Sequence, residues 1–184
     1  MAQQAEYVGP GALWRMLSGG ALLRGSLYEE VAKEPGALRL SLAATLIGGV
    51  CYGIWLAVTA GLAPGVGLLL GLFLLFGHLP LDAAFVWLLA SPVLGRGASF
   101  GGVVRVLALA NAPALGYGAL AALAAPRWAG LAVSLWLLLA FLVAIRAALS
   151  CGWVLAAGAA VLVRLAGEVA FRAPDLLARL AGAA

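Results

Sequence analysis

Long apolar runs separated by short breaks make up most of the chain from Leu38 onward. A helix that crosses the hydrocarbon core of a bilayer needs about 20 apolar residues at about 1.5 Å each. The runs predict five such helices: Leu38–Leu62, Val66–Leu94, Phe100–Ala124, Trp128–Ile145 and Gly152–Leu165. The breaks are Glu34-Pro35-Gly36, Ala63-Pro64-Gly65, Gly95-Arg96-Gly97, Ala125-Pro126-Arg127 and Ala147–Cys151. Short connections make consecutive helices antiparallel neighbours. The expected fold class is therefore all-α, a polytopic integral membrane protein with a five-helix transmembrane bundle.

Before the first span the pattern changes to a two-sided one. Leu13, Trp14, Met16 and Leu17 surround Arg15, and Leu22, Leu23, Leu27 and Val31 follow at helical spacing. This predicts an N-terminal amphipathic helix lying at the headgroup level. Tyr28, Glu29, Glu30 and Glu34 form an acidic cluster on that segment, a candidate for docking a partner. A shorter amphipathic stretch follows Pro174. The chain thus divides into a cytoplasmic N-terminal segment (1–37), the transmembrane domain (38–166) and a short C-terminal tail (167–184).

Composition agrees with this division. Of 184 residues, 65% are hydrophobic and 10% charged, where a soluble domain carries about 25% charged residues. Lipid is the first partner. The net charge of +4 reflects basic residues at helix ends, which set orientation in a membrane, so nucleic-acid binding is not expected. Arg15, Arg24, Lys33, Arg39, Arg96, Arg105 and Arg146 fall on the N-terminal side of the membrane, against Arg127, Arg164, Arg172 and Arg179 on the other. The bias places the N-terminus in the cytoplasm and the C-terminus outside. The excess of Arg over Lys, with abundant Ala, Gly and Leu, points to a GC-rich prokaryotic genome and hence its plasma membrane. Cys51 and Cys151 lie on separate apolar helices and read as thiols packed as small hydrophobes. Small residues recur four apart at Gly49 and Gly53, Gly67 and Gly71, and Ala110 and Ala114, the spacing that lets helices approach closely in lipid.

The sequence "GHLPLDAAF" interrupts the second apolar run with His78, Pro80 and Asp82. Counted from helix ends near Leu94 and Phe100, Asp82 lies about 18 Å deep and Asn111 about 16 Å, with Pro80 and Pro113 at about 20 Å. Two antiparallel helices each carry a proline and polar groups at one level. Proline frees the carbonyl four residues before it, and lipid cannot satisfy that carbonyl, so the second and third helices are expected to be kinked there. In one reading His78, Asp82 and Asn111 form a seam that satisfies the stranded backbone atoms. In the other, an acid and an imidazole inside a membrane mark a proton or ion path. Arg105, about 8 Å deep, is a candidate ion-pair partner for Asp82 or a residue that snorkels to the surface.

Enzyme chemistry is not expected. His78 four before Asp82 is loosely like part of an intramembrane metalloprotease pattern, but one histidine cannot supply the three or four ligands a zinc site needs. No Gly-x-Ser-x-Gly elbow or phosphate-binding loop occurs, and no cofactor is implied.

Three segments, in order, resemble the Yip (Ypt-interacting protein) domain family. "LYEEVAKEPGALRLSLAATLIGG" is similar to its entry segment, "SFGGVVRVLALANAPALGYGAL" to its third helix, and "WLLLAFLVAIRAALSCGWVLAA" to its fourth-to-fifth hairpin. The resemblance implies five spans, a cytoplasmic N-terminus, an extracytoplasmic C-terminus and no catalysis. Eukaryotic members are scaffolds that bind small GTPases and one another. Their Asp-Leu-Tyr-Gly-Pro-like motif is missing here, where Ser26-Leu27-Tyr28-Glu29-Glu30 stands nearest, so GTPase binding is not implied. The expected function is a membrane scaffold associating with itself or with other membrane proteins through the small-residue faces and the N-terminal segment. The alternative is a small transporter or ion conductor built on the midplane polar layer.

Overall fold

The structure, a computed structural model, describes residues 10–90 and 97–165. The described residues are helical, with no strand among them. The helices are α1 (Pro10–Ala21), α2 (Gly25–Lys33), α3 (Leu38–Ala60), α4 (Pro64–Leu88), α5 (Phe100–Leu109), α6 (Leu115–Ala122), α7 (Gly130–Leu149) and α8 (Trp153–Leu165). With their flanking 3-10 turns, four stretches are long and apolar enough to cross a membrane: Pro35–Ala60, Pro64–Leu88, Phe100–Ala122 and Arg127–Leu149. The protein is thus a helical, membrane-embedded bundle. The expected fifth span, Gly152–Leu165, coincides with α8, of which 13 residues are described, about 20 Å of helix. The C-terminal tail, with Arg172 and Arg179, lies outside the described residues, as does Arg96.

Local chemistry explains the helix ends. Gly61 takes the left-handed conformation (φ 67°) that closes α3, and Pro64 opens α4, where no backbone donor is needed. The Ser99 hydroxyl accepts the Gly102 N–H at 3.0 Å and caps α5. Pro80 lies inside α4, which stays helical from Pro64 to Leu88. The third stretch is interrupted instead. After α5, residues Ala112–Ala114 form one 3-10 turn around Pro113 before α6 begins.

Glycines seat α3 against α4. A Cβ on Gly53 would stand 2.7 Å from the Gly67 oxygen and 2.7 Å from Leu68 Cα, and one on Gly71 would collide with the backbone of Gly49 and Gly53. The four-residue spacing seen in the sequence is therefore occupied within the chain. The third stretch is central: 61% of its most apolar part is buried, against 28% to 39% for the other three.

The N-terminal segment packs into the bundle. Met16, Tyr28 and Val31 are fully buried and belong to the main apolar core with Val103, Val106 and Leu109 of α5 and Ile145 of α7. A Cβ on Gly20 would meet Leu109 Cδ1 at 2.8 Å and the Ala112 Cβ at 3.0 Å, so the end of α1 reaches the interruption of the third stretch. The chain turns at Leu23 (φ 54°) and returns as α2. Amphipathicity here reflects burial in the bundle, while Trp14 and Leu22 stay exposed on the other face.

Candidate functional site

The far end of the bundle from α2 is hollow. A cavity of about 510 Å³ lies between α4, the α5–α6 stretch, α7 and α8. Leucine is the commonest residue in its wall, but His78, Asp82, Asn111 and Arg164 reach it, with Tyr52, Tyr117 and Ser134. The polar layer read from the sequence is thus gathered around one volume. Pro113 is buried in the 3-10 turn and Pro80 is exposed on α4; neither lines the cavity.

Asp82 is only 5% exposed. Its Oδ2 faces Arg164 Nη1 at 3.6 Å, close enough for an ion pair but too long for a hydrogen bond. Its Oδ1 is buried and accepts no hydrogen bond among the described residues. The Arg164 guanidinium also lies 4.3 Å above the Phe141 ring, a cation–π contact that steadies the side chain. Its side chain remains 47% exposed, so the two charges meet with donor capacity to spare. Arg164 was counted as an end charge in the sequence. In the structure it meets Asp82.

Arg105 is not the partner of Asp82. Its Nε donates to the Val31 carbonyl at 2.9 Å and its Nη2 to the Ala32 carbonyl at 2.7 Å. These are among the last carbonyls of α2, which have no partner within that helix. A guanidinium at a helix C-terminus also matches the sign of the helix dipole there. Arg105 therefore holds α2 to the bundle.

Asn111 also bonds elsewhere than to Asp82. Its Nδ2 donates to Thr45 Oγ1 at 3.3 Å, and the Thr45 hydroxyl donates to the Ala108 carbonyl at 3.0 Å. A side chain of α3 thus supplies a donor where the third stretch breaks, as a helix interrupted in lipid requires. Thr45 was not singled out in the sequence; its i, i+4 relation to Ser41 in an apolar run was the available signal. On the opposite wall Ser134 donates to the Gly130 carbonyl at 3.0 Å. Its single hydrogen is then used, so the Tyr117 hydroxyl is the donor in their 2.7 Å contact. The Tyr117 ring lies 4.7 Å from that of Tyr52, tilted by 42°.

The expected docking cluster is dispersed. The Tyr28 hydroxyl donates to the Gly20 carbonyl at 3.1 Å, and burial pushes its phenol well above the ordinary range. Glu30 pairs with Arg15 at 3.2 Å. Glu34 accepts from the Gly36 N–H at 3.2 Å and caps the turn into α3. Glu29 and Glu30 stay exposed, but Tyr28 does not join them. Among the described residues no group of three His, Cys, Asp or Glu side chains is placed to hold a metal ion.

Comparison with protein families, curated proteins and solved structures gives no match to this chain, so its function is argued from its own residues.

Proposed function

We propose that this is a non-enzymatic, five-span protein of a prokaryotic plasma membrane, with its N-terminus cytoplasmic and C-terminus outside, and that the cavity around Asp82 binds and passes a small polar solute. The Yip-like order of its segments supports the five-span reading. The loop charges support the orientation. One observation carries the transport reading: a carboxylate inside a membrane bundle lines a cavity large enough for a solute and keeps a buried oxygen without a donor among the described residues. A buried acceptor without a donor is costly, and in a seam serving structure alone it would be bonded.

The scaffold reading takes second place because its expected surfaces are engaged inside the chain. Gly49, Gly53, Gly67 and Gly71 pack α3 on α4, and the N-terminal helices pack on α5 and α7. The deciding experiment is flux in reconstituted vesicles for protons, small cations and small zwitterions. Wild-type protein should show flux that Asp82→Asn abolishes while helix content and monodispersity are kept. Vesicles silent to all three solute classes would remove the transport reading and return the scaffold to first place.

A further inference from the structure

Arg146, near the end of α7, carries donors without an acceptor. Its guanidinium lies 4.7 Å over the Trp153 ring. Among the described residues the side chain makes no hydrogen bond and no ion pair, and its Nε is enclosed and unpartnered. The fork stands against the start of α2, since a Cβ added to Gly25 would lie 3.9 Å from Arg146 Nη1. Gly25 is the first residue of α2, and no side chain caps that end. The N–H groups of its first turn have no acceptor within the helix and form the positive end of its dipole. A guanidinium thus faces a helix end of its own sign, and Arg24, exposed next to Gly25, adds a further positive charge. The acids of α2 do not answer them. Glu30 is held by Arg15, Glu34 caps the turn into α3, and Glu29 makes no ion pair among the described residues.

We infer that Arg146 and the first turn of α2 hold a phosphate group between them, a clamp that ties α2 to the corner where α7 meets α8. Arg146 is half-buried. Its Nε is closed off, while its terminal nitrogens are not among the enclosed atoms, so Nη1 and Nη2 make the contact. The Gly25 and Ser26 N–H groups and the exposed Ser26 hydroxyl donate from the other side. A guanidinium fork and the amides at a helix N-terminus both suit the oxygens of a tetrahedral oxyanion. The site lies at one end of a spanning stretch, which closes at Leu149. Trp153 beside it is 52% exposed, as aromatic side chains are at the headgroup level. A phospholipid headgroup and free phosphate share this chemistry. The clamp is separate from the cavity around Asp82 and does not depend on the transport reading.

The test uses the delipidated full chain in dodecyl maltoside, in a buffer free of phosphate and sulfate, and reads thermal stability against added probe. Inorganic phosphate is the soluble probe and phosphatidylglycerol the lipid one. Diacylglycerol carries the chains without the phosphate, and chloride at matched ionic strength controls for screening. Saturable stabilisation by at least one phosphate probe is expected, with diacylglycerol and chloride without effect. A response to inorganic phosphate identifies a site open to solution, and a response only to phosphatidylglycerol identifies a headgroup site; both support the inference. Arg146→Gln should weaken the response about ten- to a hundredfold, the loss of a hydrogen bond between charged groups. Gly25→Pro removes one donor from the site and suits the fold, because Arg24 before it is extended (ψ 100°) and proline is at home at the first helical position. It should weaken the response about tenfold. Equal stabilisation by diacylglycerol or chloride, none by either phosphate probe, or an unchanged response in Arg146→Gln overturns the inference. An unchanged response in Gly25→Pro takes the anion off the α2 turn and overturns it too. Should Arg146→Gln fail to fold, the ranking of probes and Gly25→Pro decide.

Discussion

The two ends of the bundle are built on opposite principles. At the α2 end, side chains from α1, α2, α4, α5, α7 and α8 interlock in one continuous core, and Arg105 ties α2 to α5 through two carbonyls. At the other end the buried apolar cluster shrinks to Trp55, Ala114, Tyr117 and Val133, and the space beside it is a cavity with polar groups in its wall. The same α3, α4 and α7 run through both ends, so the difference comes from what is added. The N-terminal helices fill one end, and no described element fills the other. Interruption of the third stretch at Ala112–Ala114 falls where the two ends meet. Stability is expected to reside at the filled end and ligand chemistry at the hollow one.

Mutations should separate the ends, the largest effect coming from the shared α3–α4 contact. Gly71→Leu places a side chain against the Gly49 and Gly53 backbone, where nothing flexible can yield. Overpacking by more than a methyl costs about 3 kcal/mol or more, and little folded protein should be recovered on size exclusion. Arg105→Ala leaves one buried and one half-buried carbonyl without donors, at about 1–3 kcal/mol for the buried one and less for the other, whereas Arg105→Lys should recover part of that loss; detergent unfolding titrations measure both. Leu109→Ala at the filled end, where Leu109 is fully buried, should cost about 3 kcal/mol. Leu138→Ala in the cavity wall, with Leu138 46% exposed, should cost under about 1 kcal/mol. Equal losses at the two positions would erase the contrast between the ends.

The smallest effect tests burial of the N-terminal helices. Tyr28→Phe removes one hydrogen bond and should cost about 1 kcal/mol at neutral pH. Burial raises the folded phenol above its unfolded value of about 10. The neutral phenol therefore favours the folded state fully below that pH, and its contribution falls as pH rises beyond it. The gap between wild type and Tyr28→Phe should narrow above about pH 10. A gap that is constant with pH would place the Tyr28 hydroxyl in water and α2 off the bundle.

Much of this arrangement was legible in the sequence, and the misses share a cause. Apolar runs marked α3, α4, the α5–α6 stretch and α7, because lipid demands about 20 apolar residues whatever they pack against. His78, Asp82 and Asn111 stood out because polar side chains are rare in such runs, and counting turns placed them at one depth. Their partners were not legible. Helical spacing shows that α1 and α2 each bury a face, but not whether that face meets lipid headgroups or the bundle, and Met16 and Tyr28 meet the bundle. Thr45 is one hydroxyl among many until the structure sets it against the Ala108 carbonyl. Arg164 read as a loop charge because it stands at the end of the last apolar run, and nothing in the sequence pairs it with Asp82. Arg105 read as a partner for Asp82 because both are charged, while the α2 carbonyls that hold it carry no sequence signal.

The central claim is that one end of the bundle is hollow and the other is filled. It is tested most directly by thiol accessibility in nanodiscs, after replacing Cys51 and Cys151 with alanine. Single cysteines at Ser134→Cys, in the cavity wall, and at Val106→Cys, fully buried at the filled end, are exposed to a water-soluble thiol reagent, which needs a hydrated, ionisable thiol. The account predicts rapid labelling at position 134 and protection at position 106. Protection at both positions would contradict it.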